Sequence, residues 1–414
     1  MARDGTTVQE VCGHVQAGHQ EEFRLQSDSE SAKDYLEMDI LKHNRKLIHR
    51  GKYVFAPTGL LPVRRGAKKP QRLDASRDLL AEYPDRMRLL WHDPAEGGSV
   101  IEIAGGWCYG RRCDWIGIDD RALADLHGDG SQLIPEMPPS GPLNPRYYRH
   151  RLTTSRRFPK PVQVDGDVVI LNSPGSHNYY HWLRETLPRL ELVRQAGIMQ
   201  ADAYVIDNYK SFQWQALQLL GIPAEKIIEP HQGLMLQANR LIVPSIATAG
   251  SRRRLGIRLQ SQTDNTLAAL DSKPSQRVYV SRRIAKKRSL GNDAEVAGML
   301  AKHGFESHCL EEYNLEAQIR LFRDASIVVG MHGAGLVNIL LTRRPLNLIE
   351  IRPESCHRDC FELLANELGV SYRRVTAGRG WWRAPWQCPL ERLETAVVHA
   401  IATSESQASL RRTG

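Results

Sequence analysis

Residues 325–341 read ASIVVGMHGAGLVNILL. A run rich in β-branched residues ends at Gly330, the loop His332-Gly333-Ala334-Gly335 follows, and an apolar stretch of helical character resumes near Ala334. β-Branched side chains suit a buried, pleated strand. Glycine permits a tight turn and lets a ligand approach the backbone, while the next helix start offers unpaired N–H groups and a positive dipole end. Such a junction at the carboxyl end of a parallel strand is where α/β proteins receive phosphates. The loop is neither G-x-G-x-x-G nor G-x-x-x-x-G-K-[ST], which disfavours a dinucleotide site and a nucleoside-triphosphatase. A glycine turn needed only for packing is the alternative.

Upstream, RVYVSRRIAKKRSLGNDAEV (277–296) repeats the theme. Its strand ends at Ser281 and delivers Arg282 and Arg283 to the tip, with Lys287 and Arg288 in the loop and Asn292 placed to cap the next helix. Arginine pairs with phosphate oxygens two bonds at a time and keeps its charge, so it suits a departing diphosphate. Downstream, NLIEIRP sets Glu350 in the next strand, where a carboxylate accepts from ribose hydroxyls or pairs with a buried arginine. In the first half, SHNYYHWLRETLPRL (176–190) places His181 and Glu185 four residues apart, on one face if helical. An imidazole within reach of a carboxylate is what general-base catalysis needs, either group serving as base. A surface pair on an amphipathic helix has the same spacing. Pro188 is expected to open a new helical segment or kink this one.

Around these segments strands and helices alternate. DVVILN (167–172), AYVID (203–207) and RLIVPS (240–245) read as strands, with helices from Tyr180 to Ala196 and Phe212 to Leu220 between the first three runs. A basic, helix-like stretch from about Leu255 to Leu270 leads into a second series: RVYVSR, a helix from Asp293, FESHCL, a helix from Leu315, SIVVG, the glycine loop, NLIEIR, a helix from Phe361 and YRRV. The expected fold class is α/β, with two Rossmann-like doubly wound units and a mixed α/β N-terminal region. The expected division is 1–150 as an extension and the start of the first unit, 151–250 as the acceptor side, 251–400 as the nucleotide side and 401–414 as a tail. The helix from Leu390 docks on the body or crosses back to the first unit. The proline-rich 135–145 marks a connection.

The chain of 414 residues is 41% apolar and 25% charged, with a formal net charge of +9. That composition excludes wholesale disorder, collagen and coiled coil. No apolar run approaches the roughly 18 to 20 residues of a spanning helix, and the first residues lack a signal-like apolar core, so a cytoplasmic protein is expected, peripheral at a membrane if at all. The 7 cysteines include no CxxC pair, and Cys356, His357 and Cys360 lack the spacing of structural zinc. Basic residues cluster at 273–288, 146–160 and 252–254, which attracts an anion or simply solvates a face. Aromatics are 7% and are not interleaved with the basic runs, which argues against nucleic acid.

Together, HNYYHWLRETLPRL and VYVSRR…KRSLGNDAEV…HGFES…AQIRLFRDASIVVGMHGAGLVN…IEIRP resemble the glycosyltransferase family 61 domain, roughly from Asp167 to Pro353. The resemblance implies a GT-B fold and inverting, metal-independent transfer from a nucleotide-diphospho sugar, usually a UDP-sugar, with no cofactor. It implies that Arg282 and Arg288 meet the diphosphate, with Ser281 and Arg283 beside them. By the same token His332, Gly333, Ala334, Gly335 and Leu336 receive phosphate and ribose, Asn338 supports that loop and Glu350 reaches the nucleoside. His181 occupies the family's usual histidine position, and Glu185 stands where an aspartate is more frequent. Expected partners are the donor and a glycan or glycolipid acceptor of capsule or lipopolysaccharide biosynthesis, with no nucleic acid. A sugar-nucleotide epimerase or hydrolase, or an inactive nucleotide-binding relative, is the competing reading.

Overall fold

The computed structural model describes residues 72–123 and 160–410, apart from positions 75, 112, 114, 120, 174, 268–275, 286–287, 344 and 380–384. The connection at 135–145, nearly all of the basic stretch 146–160, Lys287 and the tail 411–414 lie outside the described residues.

Two sheets organise the chain. The first has ten described strands: β1 (Arg72–Asp74), β2 (Met87–Asp93), β3 (Gly98–Ala104), β4 (Trp107–Tyr109), β5 (Trp115–Ile118), β6 (Arg121–Leu123), β7 (Val162–Ile170), β8 (Ala203–Val205), β9 (Ile227–Ile228) and β10 (Met235–Pro244). Its main path runs β1-β6-β5-β4-β10-β7-β8-β9. From β10 to β9 the neighbours are parallel. On its other side the long strand β10 pairs antiparallel with β4 at one end and with β3 at the other. The first unit is therefore a mixed sheet and not an all-parallel one, because the strands at 72–123 add to the same sheet as those after 160.

The second sheet is wholly parallel, in the order β12 (Glu306–His308), β11 (Arg277–Val280), β13 (Ile327–Met331), β14 (Asn347–Pro353), β15 (Ser371–Ala377). Its central strands β11, β13 and β14 are buried on both faces, whereas the edge strands β12 and β15 are largely exposed, and period-two alternation divides the central side chains. Val278, Val280 and Val328 enter one apolar cluster, whereas Tyr279, Ile327, Val329 and Met331 enter another. The first of these clusters also takes Val169 and Leu171 of the first half, so one core runs through both sheets. The second is closed by the helices Asp293–Lys302 and Leu390–Leu410, whose buried side chains pack with those of the second sheet. Trp386 belongs to it, 6% exposed.

Three local departures have physical causes. The helix expected from Tyr180 to Ala196 is a turn at Tyr179–His181, a π-helical segment at Trp182–Thr186 and a helix at Arg189–Gln195. Pro188 brings no N–H, and the Leu187 amide reaches back five residues to the Trp182 carbonyl. The helix after the glycine loop is 3₁₀, over Ala334–Leu341. Asn292 sits at a helix start but makes no capping bond; its side chain instead exchanges hydrogen bonds with the Cys388 backbone at 2.9 and 3.0 Å.

Candidate functional site

Because β11, β13 and β14 are parallel and adjacent, the loops after Val280, Met331 and Pro353 meet at one edge of the sheet. There the Arg282 guanidinium lies against the Gly333 backbone: a Cβ on Gly333 would stand 2.2 Å from Nη1. Burial and the neighbouring charge of Arg288 pull Arg282 below the ordinary arginine value. Two guanidinium groups so placed are favoured by an anion between or beside them. Ser281 is buried and donates to the Asp293 carboxylate at 2.8 Å, which also accepts from the Tyr279 hydroxyl at 2.6 Å. Arg283 points elsewhere, to Glu312 at 2.9 Å and to the Cys309 sulfur at 3.0 Å.

His332 is 3% exposed and donates through Nδ1 to Glu350, which is fully buried. The other Glu350 oxygen accepts from the Tyr372 hydroxyl at 2.5 Å and from Arg352 at 3.3 Å. Burial alone would push this carboxyl up, but the bonds from His332 and Tyr372 and the charges of His332 and Arg352 hold it below the ordinary range. Glu350 thus fixes the orientation of the His332 ring through Nδ1, and Nε2 is the ring nitrogen not committed to it. Gly335 and Leu336 are packing positions of the loop. A Cβ on Gly335 would meet Leu310 at 2.7 Å, and Leu336 is fully buried.

In the first half, His181 Nδ1 donates to Glu185 Oε2 at 2.8 Å, across the π-helical segment. The side chains are 40% and 34% exposed, open enough for a substrate to reach. Gly175, at φ 91°, brings its backbone against the imidazole, where a Cβ would lie 2.9 Å from the ring. The loop that carries it is held from behind. Ser176 donates to buried Asp207, and Arg189 donates to the carbonyls of Leu171, Asn172, Pro244 and Ser245. Burial lowers the Arg189 value to about 10.

The structure brings the two halves of the site into contact. The Tyr179 hydroxyl donates to Asn338 Oδ1 at 2.7 Å, and the Asn338 amide donates to Gln318 at 2.8 Å. Tyr180 stands edge-on to His181 at 5.2 Å and to Phe361 at 5.4 Å, and Phe361 stands edge-on to His332 at 5.1 Å. Reading the sequence singles out His181, Arg282, His332 and Asn338 but misses Tyr372, Arg352 and Phe361 behind them. Arg352 is the same-face neighbour of Glu350 on one strand, a legible signal. Tyr372 and Phe361 arrive through tertiary packing.

Residues 179–349 match the family model described as Glycosyltransferase 61. This segment is similar to glycosyltransferase 61 domains. It opens at Tyr179 and ends beside Glu350, so it encloses His181, Glu185, the arginine loop and the glycine loop. A beta-1,2-xylosyltransferase of Arabidopsis thaliana is 35% identical over 66 residues. That stretch is 16% of this chain and 12% of the plant protein's length.

Proposed function

We infer that the chain is an inverting glycosyltransferase, which moves a sugar from a nucleotide-diphospho sugar, a UDP-sugar first, to a hydroxyl of a glycan or glycolipid. The observation that carries this reading is the Tyr179–Asn338 contact, which joins the His181–Glu185 pair to the loop holding Gly333 against Arg282. The similarity to glycosyltransferase 61 domains and to a xylosyltransferase favours the same chemistry.

Inversion takes one displacement at the anomeric carbon. His181, with Nδ1 committed to Glu185, has Nε2 to take the proton of the attacking hydroxyl, and Glu185 orients the ring and stabilises the imidazolium. The glycosidic C–O bond breaks as the new one forms, and the charge that develops on the departing diphosphate falls to Arg282, Arg288 and the Gly333 backbone. Glu350 acts through His332. Catalysis needs no metal in this scheme, so activity persists in EDTA. The two sheets correspond to the acceptor and donor sides of a GT-B enzyme, and the reaction belongs to capsule or lipopolysaccharide assembly at the cytoplasmic face of a membrane. Among the described residues no helix is long and apolar enough to cross one.

The test is incubation with a panel of nucleotide sugars and a glycolipid fraction, followed by NMR of the new anomeric centre. Transfer with inverted configuration supports the reading. Conversion of the nucleotide sugar without any acceptor would assign an epimerase or hydrolase instead.

A further inference from the structure

Arg184 lies between His181 and Glu185 in sequence and brings its guanidinium to the same carboxylate. Its Nη1 is 3.6 Å from Glu185 Oε1, while Glu185 Oε2 accepts from His181 at 2.8 Å. The other arm of that guanidinium goes to Glu367, to which Nη2 donates at 3.3 Å. The guanidinium carbon stands 5.7 Å from the centroid of the Tyr180 ring. The remaining nitrogen, Nε, is buried and makes no hydrogen bond among the described residues. Two carboxylates and one aromatic ring therefore decide where Arg184 rests.

Glu367 is itself anchored. Its second oxygen accepts from Arg252 at 2.9 Å, and Arg252, buried, also donates to the Ala247 carbonyl at 2.7 Å. Arg253 donates to the Glu367 carbonyl. Burial pulls Arg252 below the ordinary arginine value, the charge of Glu367 opposes that pull and the charge of Arg184 adds to it, so both guanidinium groups answer to one carboxylate. Glu367 stands in the last turn of the helix Cys360–Leu368, whose Phe361 is edge-on to Tyr180 and to His332. That helix follows position 349, outside the segment that matches the family model. An alternating chain results, from His181 through Glu185, Arg184 and Glu367 to Arg252. Its carboxylates and guanidinium groups balance while the imidazole is uncharged.

We propose that Glu367 is a positioning residue for the transfer: it holds Arg184 at one oxygen of Glu185 and so keeps the other oxygen for His181 Nδ1. This rests on the functional reading above, in which His181 takes the proton of the acceptor hydroxyl. A guanidinium readily pairs with a carboxylate through two parallel bonds. Without the Glu367 charge, Arg184 closes on Glu185 and engages both of its oxygens. Nδ1 then loses its acceptor, and the ring loses the tautomer that leaves Nε2 bare. Two guanidinium groups against one carboxylate also leave a net positive charge near an imidazole that must become positive itself.

The experiment reads the tautomer from the nitrogen NMR shifts of the His181 ring in mildly alkaline solution, assigned by their absence in His181→Gln. It compares the unchanged protein with Glu367→Gln, with Glu367→Gln/Arg252→Met and with Glu367→Gln/Arg184→Met. The Arg252 change removes the buried guanidinium that Glu367→Gln alone would strand, so the comparison survives if the single variant does not fold. The unchanged protein is expected to hold one tautomer, with its hydrogen on Nδ1. The two variants that keep Arg184 are expected to show a mixture, and the one that lacks it the single tautomer again. With the nucleotide-sugar panel, kcat is expected to fall about tenfold where the tautomers mix, with KM for the donor unchanged. The same tautomer population in all four proteins, or a mixture that persists without Arg184, overturns the proposal, as does an unchanged kcat where the tautomers mix. The expected tautomers with no transfer from any nucleotide sugar uphold the hold of Glu367 on His181 and count against the functional reading instead.

Discussion

Tyr179 and Asn338 are 159 positions apart, and the phenolic hydroxyl of one donates to the amide oxygen of the other at 2.7 Å. Asn338 is fully buried and passes its own amide hydrogen to Gln318. The bond therefore fixes the segment carrying His181 onto the 3₁₀ turn of the glycine loop.

Tyr179→Phe is expected to cost about 1 kcal/mol in urea denaturation, the value of one net hydrogen bond. Asn338→Ala strands the buried Gln318 oxygen as well and is expected to cost about 2 to 3 kcal/mol. Equal and negligible costs for both would show that the contact does not hold the halves together.

His181→Ala is expected to lower kcat by about 100-fold or more, with donor affinity unchanged. Glu185→Gln keeps a hydrogen-bond acceptor for Nδ1 and loses less. Gly175→Ala forces a methyl toward the imidazole from a φ of 91° and is expected to lower kcat more than its thermal midpoint suggests. Steady-state kinetics set beside calorimetric donor binding separates these effects.

Gly333 has an extended backbone, so alanine there is not strained, but its methyl would displace the tip of Arg282. Gly333→Ala is therefore expected to keep a near-normal melting temperature while losing about tenfold in nucleoside diphosphate affinity, as Arg282→Ala does. An unchanged dissociation constant in Gly333→Ala would remove the Arg282–Gly333 contact from the site.

Glu350 has a folded-state value held below its ordinary 4.5. A depressed carboxylate contributes stability that is present above its unfolded value and is lost as pH falls through the folded one. Glu350→Gln is expected to cost about 3 kcal/mol at pH 7, because the charges of Arg352 and His332 lose their buried partner. The gap to the unchanged protein should narrow on acidification below about pH 4.5. A gap that stays constant as the pH falls from 7 to well below 4.5 would mean that folding does not depress this carboxylate, and a gap that widens on acidification would mean that it is protonated in the folded state.

The second sheet was legible in the sequence because its central strands β11, β13 and β14 are short apolar runs rich in β-branched residues, buried on both faces and bounded by turn residues. The glycine loop, Arg282 and His181 were legible for a related reason: their local spacing already implies their neighbours. The first sheet was less so. Its N-terminal strands read as a separate mixed region, and only pairing to the two ends of β10, more than a hundred residues away, makes them one sheet. Glu350 illustrates the limit within the site. Its place on a strand was readable, but the ring of His332, Tyr372 and Arg352 around its carboxylate depends on the lateral packing of three elements. Arg283, adjacent to Arg282, reads as its equal, yet the turn sends it to Glu312.

The most direct test of the central claim, a nucleoside diphosphate held by the arginine and glycine loops, is calorimetric titration with EDTA present. UDP, GDP, CDP, dTDP and CMP are each titrated into the purified protein and into Arg282→Ala. Saturable binding of one nucleoside diphosphate, UDP first, that is lost in the variant is the predicted result. Binding to none of them, or binding that Arg282→Ala leaves intact, would contradict it.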